Sequence, residues 1–242
     1  MTRRLLALAL VGAVGCSGLD GGDDQLVALE LVLPVVRDVE VGDTLQLTAR
    51  GLNRDGEPLP VDIAWFTPDN TVWIDATGRL TGLVPGQAGR VQARSGNLRS
   101  ELVPFRVLPG ADTLVMVGPE ISQVPVDVAA SEPLVARLDT HSPVPPATGT
   151  QPLAGRGIIY RIVEPVFPDP SARTVELLPA AALADTVITD ASGGPPAPGI
   201  TVGRIPGVPS PDSAVVEVVA ERLSGRLVPG SGRRFVVRFD NP

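Results

Sequence analysis

The chain has 242 residues, with 20 basic and 27 acidic side chains and a formal net charge of −7, and every basic residue is an arginine. Such an acidic chain lacks the clustered cations that neutralise phosphates, so nucleic-acid binding through a basic face is excluded. Hydrophobic residues make up 43% of the chain, which argues against disorder, while 26 glycines and 26 prolines favour short strands joined by turns, so an all-β fold of one or two domains is expected.

Residues 1–15 have the pattern of a secretory signal peptide. A short basic start precedes an apolar run of about ten residues, which is too short to span the ~30 Å hydrocarbon core of a bilayer. The small residues that end in Gly15, followed by Cys16, resemble the lipobox of bacterial lipoproteins. The resemblance implies cleavage after Gly15 and lipidation of Cys16, with acyl chains such as palmitate as the membrane anchor. A plain signal peptide followed by a chance cysteine is the alternative.

Residues 16–24 are predicted to form a lipidated, flexible tether that is rich in glycine and aspartate. Cys16 is the only cysteine, so no intramolecular disulfide can form. The acidic run Asp20–Asp24 lacks the spacing of a calcium-binding loop and is interpreted as a solvated spacer. Ser17 stands where aspartate commonly retains lipoproteins in the inner membrane, so the outer membrane of a Gram-negative-type bacterium is expected. The protein would then face the cell surface or the periplasm.

Residues 25–108 alternate short apolar runs with turn signals at the spacing of a β-sandwich. Asp55-Gly56 is typical of a hairpin turn, because glycine tolerates a positive φ. Trp65 lies on an alternating strand and is predicted to fill the core, with stacking on carbohydrate as the alternative. The predicted inward-facing side chains are Leu29, Leu31, Leu33, Val61, Ile63 and Trp65.

This region resembles the bacterial immunoglobulin-like domain, group 2. The resemblance rests on these ordered motifs: Val41-Gly42-Asp43-Thr44, Asp55-Gly56, Trp65, Val72-Trp73-Ile74-Asp75, Gly78-Arg79-Leu80-Thr81-Gly82-Leu83 and Val91-Gln92-Ala93. It implies an immunoglobulin-like β-sandwich, which occurs in intimin- and invasin-type adhesins and as a spacer beside catalytic domains. Trp73 is predicted to point away from the core and is the candidate ligand contact of this domain.

Residues 109–112 are predicted to be a linker, and residues 113–242 a second immunoglobulin-like sandwich with long loops rich in proline and glycine. A short helix competes with strand only at residues 179–185. The predicted strands are 113–117, 122–129, 133–138, 157–163, 175–178, 186–189, 214–220 and 235–239, and the predicted long loops are 140–150, 164–171 and 195–210. Ile158, Tyr160 and Ile162 should share the inward face of their strand.

Three segments of this second region are similar to the invasin-type group 1 of bacterial immunoglobulin-like domains. They are Pro152-Leu153-Ala154-Gly155-Arg156-Gly157, Thr189-Asp190-Ala191-Ser192-Gly193 and Val215-Val216-Glu217-Val218-Val219-Ala220. The coverage is patchy, and the three predicted long loops exceed those that the family uses. The resemblance implies a sandwich fold for this region.

No motif for catalysis, metal binding or phosphate binding is found in the sequence. His141 is the only histidine and has no histidine or cysteine partner for zinc, and a G-x-S-x-G nucleophile motif is absent. Aromatic residues are only 3% of the chain, which argues against a sugar-binding cleft. Cofactors, metal ions and a small-molecule substrate are therefore not expected. A hydrolytic second domain stays open, because sequence cannot locate a catalytic carboxylate pair in a sandwich.

The expected function is that of a non-catalytic cell-envelope lipoprotein, anchored in the membrane through Cys16, that presents immunoglobulin-like domains for adhesion or contact with a protein or surface partner. The alternative is a periplasm-facing accessory or spacer subunit of an envelope complex. Partners could dock on loops or add a strand to a sheet edge. Because the chain has no lysine to guard such edges, Pro125, Pro133 and Pro229 are the candidate guards.

Overall fold

The structure is a computed structural model that describes residues 25–142 and 149–241. In the described part of residues 25–108 the strands are β1 (Ala28–Val32), β2 (Asp38–Glu40), β3 (Thr44–Gln46), β4 (Thr48–Leu52), β5 (Pro58–Leu59), β6 (Ala64–Phe66), β7 (Val72–Ile74), β8 (Arg79–Gly82), β9 (Ala88–Ser95), β10 (Leu98–Arg99) and β11 (Val103–Leu108). The later strands are β12 (Thr113–Val117), β13 (Ile121–Val124), β14 (Val135–Ser142), β15 (Gly149–Pro152), β16 (Gly157–Glu164), β17 (Val175–Leu178), β18 (Ala184–Ile188), β19 (Thr201–Arg204), β20 (Ser213–Val219) and β21 (Arg233–Phe239). A 3-10 turn at Pro170–Ala172 is the helical element of these ranges.

Two layers of strands form the first sandwich. One layer has the strand order β10-β9-β11-β2, with β6 also paired to β9, and the other consists of β1-β4-β5 and β3-β8-β7. Alternating apolar side chains of both layers meet between them because successive residues of a strand point to opposite faces. The buried cluster contains Leu31, Val39, Leu47, Val72, Leu80, Val91, Ala93, Val103, Phe105 and Val107.

The second sandwich has a five-stranded layer with the order β13-β21-β20-β16-β18. The opposite layer contains β12-β14-β15 and β17-β19, and backbone bridges at Ala130↔Gly203 and Leu134↔Ile200 connect the two groups. This sandwich has its own buried cluster, which extends from Ala111 to Phe239. The chain therefore has two hydrophobic cores, one for each sandwich.

Tyr160 on β16 ties the two layers of the second sandwich together. Its side chain is fully buried, and its hydroxyl accepts a hydrogen bond from the backbone N–H of Ala136 at 3.0 Å. Burial disfavours the phenolate and raises the pKa of Tyr160 to about 12. Ile158 and Ile162 are buried on the same strand, as their alternation predicts.

The all-β fold with two immunoglobulin-like sandwiches is confirmed, but the competing helix at residues 179–185 is wrong. Ala182 exchanges backbone hydrogen bonds with Leu177, and the carbonyl of Leu183 accepts the N–H of Ile162 at 2.8 Å. The segment then continues as β18, which pairs with β16. Pairing in the sheet overrides the helix propensity of the alanines here.

Two predicted loops and one predicted core side chain also differ from the structure. The segment 140–150 is shorter as a loop, because β14 extends to Ser142 and β15 begins at Gly149, and the loop 195–210 contains β19. Leu33 is 41% exposed, because the chain crosses there from β1, which pairs with β4, to β2, which pairs with β11. The inward alternation that includes Leu29 and Leu31 therefore ends before Leu33.

Candidate functional site at the joint between the sandwiches

A buried carboxylate connects the two sandwiches. Glu40, the last residue of β2, is completely shielded from solvent. Its Oε1 lies 3.0 Å from Nε of Arg156, and its Oε2 lies 2.9 Å from Nε of Arg222. Both arginines belong to the second sandwich, so one carboxylate of the first sandwich is shared by two guanidinium groups of the next.

A second carboxylate, Asp43, extends this ionic joint. Its Oδ2 lies 3.1 Å from Nε of Arg222 and accepts a hydrogen bond from the hydroxyl of Ser224 at 2.7 Å. Its Oδ1 accepts a hydrogen bond from Nη2 of Arg226 at 2.8 Å. Asp43 and Arg222 are both almost fully buried. In a site of low polarity, charge-assisted hydrogen bonds of this kind are stronger than neutral ones.

The same guanidinium groups also satisfy backbone carbonyls at the end of the first sandwich. Nη2 of Arg222 donates to the carbonyl of Val41 at 2.7 Å, and Nη2 of Arg156 donates to the carbonyl of Pro109 at 3.2 Å. A Cβ atom at Gly110 would overlap the guanidinium of Arg222. A larger residue at this position would displace the guanidinium of Arg222, and the segment 109–112 is packed into the joint.

The loops that carry these arginines have local reasons for their shape. Arg222 begins a tight turn between β20 and β21, in which the N–H of Gly225 donates to the carbonyl of Arg222 at 2.9 Å and Gly225 adopts a φ of 78°. Arg156 precedes β16 and its N–H donates to the hydroxyl of Thr189 at 3.0 Å. Sequence reasoning missed all these charged residues, since nothing in the alternation near Glu40 marks it as buried. The one feature of the sequence that could have indicated them is the turn Arg222-Leu223-Ser224-Gly225-Arg226, which places two arginines between two predicted strands.

A small cleft of about 120 Å³ lies beside the ionic joint, and His141 is among its lining residues. The remaining lining residues are Val41, Pro85, Pro109, Gly110, Thr140 and Gln151. His141 lies on β14, where it is exposed and its backbone N–H donates to Oδ2 of Asp112 at 2.7 Å. Within residues 25–142 and 149–241, no group of three or more metal-ligating side chains is arranged to hold a metal ion.

The two tryptophans occupy different environments. Trp73 on β7 is 54% exposed between Val72, which is buried, and Ile74. Trp65 on β6 is partly buried and packs against the first core. The sequence-predicted candidate Trp73 therefore lies on the surface of the first sandwich, on a different strand from the ionic joint, and Gly15 and Cys16 lie outside the described residues.

Where the described carboxyl groups have shifted pKa values, the shift is downward. The side chain of Arg90 holds the pKa of Asp69 at about 2, through its hydrogen bonds and those of its backbone N–H. The pKa of Asp38 is lowered by the side chain of Arg106. The pKa of Asp190 is lowered by the hydroxyl and the N–H of Ser192. These carboxylates stabilise turns and strand pairs as anions, whereas a general acid requires a raised pKa.

No protein-family model matches the chain, and no curated protein matches it. Among solved structures, the adhesin InvE of Yersinia pseudotuberculosis is 16% identical over 91% of this chain and 62% of that chain, with a TM-score of 0.36. Domains 4 and 5 of the S-layer protein SbsC are 14% identical over 90% and 100%, with a TM-score of 0.33. The fibronectin(III)-like modules of Clostridium thermocellum CbhA are 12% identical over 87% and 92%, with a TM-score of 0.36.

This chain is a protein of tandem immunoglobulin-like β-sandwiches. The assignment rests on the strand order of the two layers in each sandwich and on the two separate cores. The matching InvE chain is longer, and this chain spans 62% of it. In the described ranges, no helix has both the length and the apolar character that a membrane span requires.

Proposed function

We propose that this chain is a non-catalytic cell-envelope lipoprotein that is anchored through Cys16 and presents its two sandwiches as one rigid unit for adhesion or protein contact. The observation that carries the proposal is the buried ionic joint around Glu40. The proposal includes the two family resemblances: that of residues 25–108 to the bacterial immunoglobulin-like group 2, and that of residues 113–242 to the invasin-type group 1.

The rigidity follows from the burial of the charges. Domains of one chain usually move relative to one another unless their interface is strong. Bending at this joint would separate Glu40 from Arg156 or Arg222 and leave a buried charge without its partner, which costs several kcal/mol. The two sandwiches therefore hold a fixed relative orientation.

The strand directions support a proposed anchor at the end of the first sandwich that lies opposite the joint. β2 ends at Glu40 in the joint, and β3 and β4 then run away from it, past Asp43. Because β1 is antiparallel to β4, β1 runs toward the joint and begins at the far end of the first sandwich. A lipid on Cys16, nine residues before Gln25 in the chain, would attach to that far end. The second sandwich would then be the part presented to a partner.

The anchor is tested by expressing the full chain and its Cys16→Ser variant in a Gram-negative host. We expect the wild-type chain to enter the detergent phase of Triton X-114 and to incorporate an alkyne analogue of palmitate. The Cys16→Ser variant should do neither. Equal partitioning and no incorporation for both chains would refute the lipoprotein assignment.

The orientation is tested with an antibody against the second sandwich on intact and on permeabilised cells, beside a periplasmic marker protein. Surface presentation predicts that intact cells bind the antibody while the marker stays inaccessible. Binding only after permeabilisation would refute surface adhesion and favour the periplasm-facing accessory role.

A further inference from the structure

Strand β18 is the outer strand of the five-stranded sheet in the second sandwich. It pairs only with β16 in the strand order of that sheet, with Val187 opposite Ile158 and Asp185 opposite Tyr160. The side chain of Val187 packs against the core, whereas Ile188 is 59% exposed. The opposite side of β18 is a free sheet edge.

The hydrogen bonds at the two ends of this pairing fix which backbone groups point outward. The N–H of Thr189 donates to the carbonyl of Arg156, and the N–H of Ile162 donates to the carbonyl of Leu183, both at 2.8 Å. Since hydrogen-bonded residues alternate in an antiparallel pair, Asp185 and Val187 bond to β16. The N–H and carbonyl groups of Ala184, Thr186 and Ile188 therefore face the free edge. In the described chain, no backbone hydrogen bond joins them to another segment.

A groove of about 250 Å³ runs along this edge. One wall is β18 from Asp185 to Ile188, and the opposite wall is the segment Pro196–Ile200 together with Pro179. Proline has no backbone N–H, so Pro196 and Pro198 cannot complete a regular ladder with β18. The segment Pro196–Ile200 therefore lies beside the free edge of β18 without forming backbone hydrogen bonds to it.

Three other outer strands of the described sheets are covered or interrupted. The N–H of Leu114 on β12 donates to the carbonyl of Pro229 at 2.8 Å, and β17 is bridged by Ala182. Strand β5 begins with Pro58, which cannot donate to a further strand. Strand β18 has five residues and contains no proline, so it offers a continuous edge beside a groove.

We propose that the free edge of β18 binds an extended segment of a partner protein, which adds a sixth strand to the sheet. The proposal names the site of the protein contact proposed above and rests on it. The outward N–H and carbonyl groups of Ala184, Thr186 and Ile188 require a polypeptide backbone, because only a strand offers donors and acceptors with the same repeat.

The groove also defines the side chains of this segment. Asp185 is the one carboxylate among the groove's lining residues, and no ion pair to it is found in the described chain, so a basic residue of the partner is favoured opposite it. Val187 and the proline wall favour an apolar residue two positions away. The bound segment is therefore extended, with a basic and an apolar residue on the groove side. A second copy of the chain would bring its own proline wall to the same edge, so the narrow groove suits a single strand better.

The test uses a fluorescein-labelled peptide, Thr-Arg-Thr-Val-Thr-Arg-Thr-amide, whose sequence reads the same in both directions and so suits either strand orientation. Fluorescence anisotropy with the purified full chain is expected to show saturable binding. The same peptide N-methylated at residues 2 to 7 should not bind, because it lacks the N–H groups that would face β18 in an antiparallel strand, those of the threonines, and in a parallel strand, those of arginine and valine. A peptide of equal composition with the order Thr-Thr-Arg-Arg-Val-Thr-Thr should bind at least ~10-fold more weakly.

Matched variants locate the site on the edge. Thr186→Pro removes an outward N–H and should weaken binding at least ~10-fold, whereas Thr186→Val keeps the backbone and should bind within ~2-fold of wild type. Ile188→Lys places a positive charge on the exposed edge, and it should also weaken binding of this cationic peptide. If Thr186→Pro fails to fold, as judged by its circular dichroism, Ile188→Lys decides the outcome.

Three results would overturn the strand-addition site. They are equal binding of the N-methylated peptide, binding that neither variant weakens, and absence of peptide binding. A dimer that sedimentation detects and that Ile188→Lys dissociates would assign the edge to a second copy of the chain instead. Each result is independent of the antibody and Triton X-114 experiments, so the site can fail while the surface lipoprotein assignment stands.

Discussion

Replacement of Glu40 by glutamine is the sharpest perturbation of the ionic joint. Glutamine keeps the size of the side chain, but it is neutral and its NH₂ group cannot accept a hydrogen bond, so its single oxygen can accept from Arg156 or from Arg222 and not from both. Arg222 keeps Asp43 as a partner at 3.1 Å, whereas Arg156, whose side chain is 14% exposed, keeps the carbonyl of Pro109 as a hydrogen-bond acceptor. Removing one partner of a buried ion pair costs about 3–5 kcal/mol of stability. Because Asp43 still pairs with Arg222, we expect Glu40→Gln to lower the free energy of unfolding by about 3 kcal/mol.

Calorimetry of the full chain measures the effect. For a chain of this size a loss of about 3 kcal/mol lowers Tm by roughly 6–12 °C, if both sandwiches unfold together. Because the lost interaction lies between the sandwiches, the single transition that we expect for wild type should also separate into two in Glu40→Gln. The free energy of unfolding from urea titration provides a second measurement.

The matched control is Glu30→Gln, which removes a carboxylate from a solvent-exposed ion pair. Glu30 lies 2.7 Å from Nε of Arg50, and the two side chains are about half exposed. Exposed pairs of this kind contribute about 0–1 kcal/mol, so the control should unfold near the wild-type temperature in one transition. A Glu40→Gln shift no larger than that of Glu30→Gln, with one transition, would refute the reasoning that the joint couples the sandwiches.

Three further predictions concern individual groups. Tyr160→Phe leaves the buried N–H of Ala136 without its acceptor and should destabilise the second sandwich by about 1–3 kcal/mol in urea unfolding. Tyr160 is the only tyrosine, so the absorbance of the folded chain at high pH should titrate at about 12; the contribution of the neutral phenol to the free energy of unfolding is fully present below the unfolded pKa of 10.0 and is lost as pH rises from there to about 12. The carboxyl of Asp69 should titrate by NMR at about 2 rather than at its usual 3.8, so its stabilising effect is present above 3.8 and lost as pH falls toward 2; in Arg90→Gln the midpoint should rise, and an unchanged midpoint would contradict the assigned cause. Gly78→Ala should lower the free energy of unfolding by more than about 2 kcal/mol, because Gly78 has a φ of +84° and a Cβ there would lie 2.6 Å from the carbonyl oxygen of Leu47. Gly56→Ala, with a φ of +82° and nothing within 4 Å of the added Cβ, should lower it by about 1 kcal/mol. Equal losses for the two variants would show that the backbone conformation alone matters.

Much of the strand pattern could be predicted from local alternation. The segments that form β12, β16 and β17 were expected within one residue of their observed ends, and the inward face of β16 follows from Ile158, Tyr160 and Ile162. Alternation is readable because a strand buries every second side chain when one face packs on a core. The four-residue strand β19 was not predicted, since it is too short to show a period and lies between proline-rich segments.

The candidate site could not be predicted in this way. Glu40 and Arg222 are separated by 182 positions in the chain, and Glu40 and Arg156 by 116. Nothing local distinguishes these charged side chains from solvated ones, and charged residues are rarely buried unless they are paired. The free edge of β18 is likewise a property of strand order, which depends on which segment pairs with β16.

The sequence by itself determined the all-β class, the acidic character of the chain and the inward faces of its longer strands, because side-chain alternation and turn residues act over a few neighbouring positions. Only the tertiary structure decided that Glu40 is buried between Arg156 and Arg222 and that β18 faces a proline-walled groove. The physical reason is that burial of a charge and exposure of a strand edge depend on segments that are distant in sequence, and packing of the two sandwiches brings those segments together.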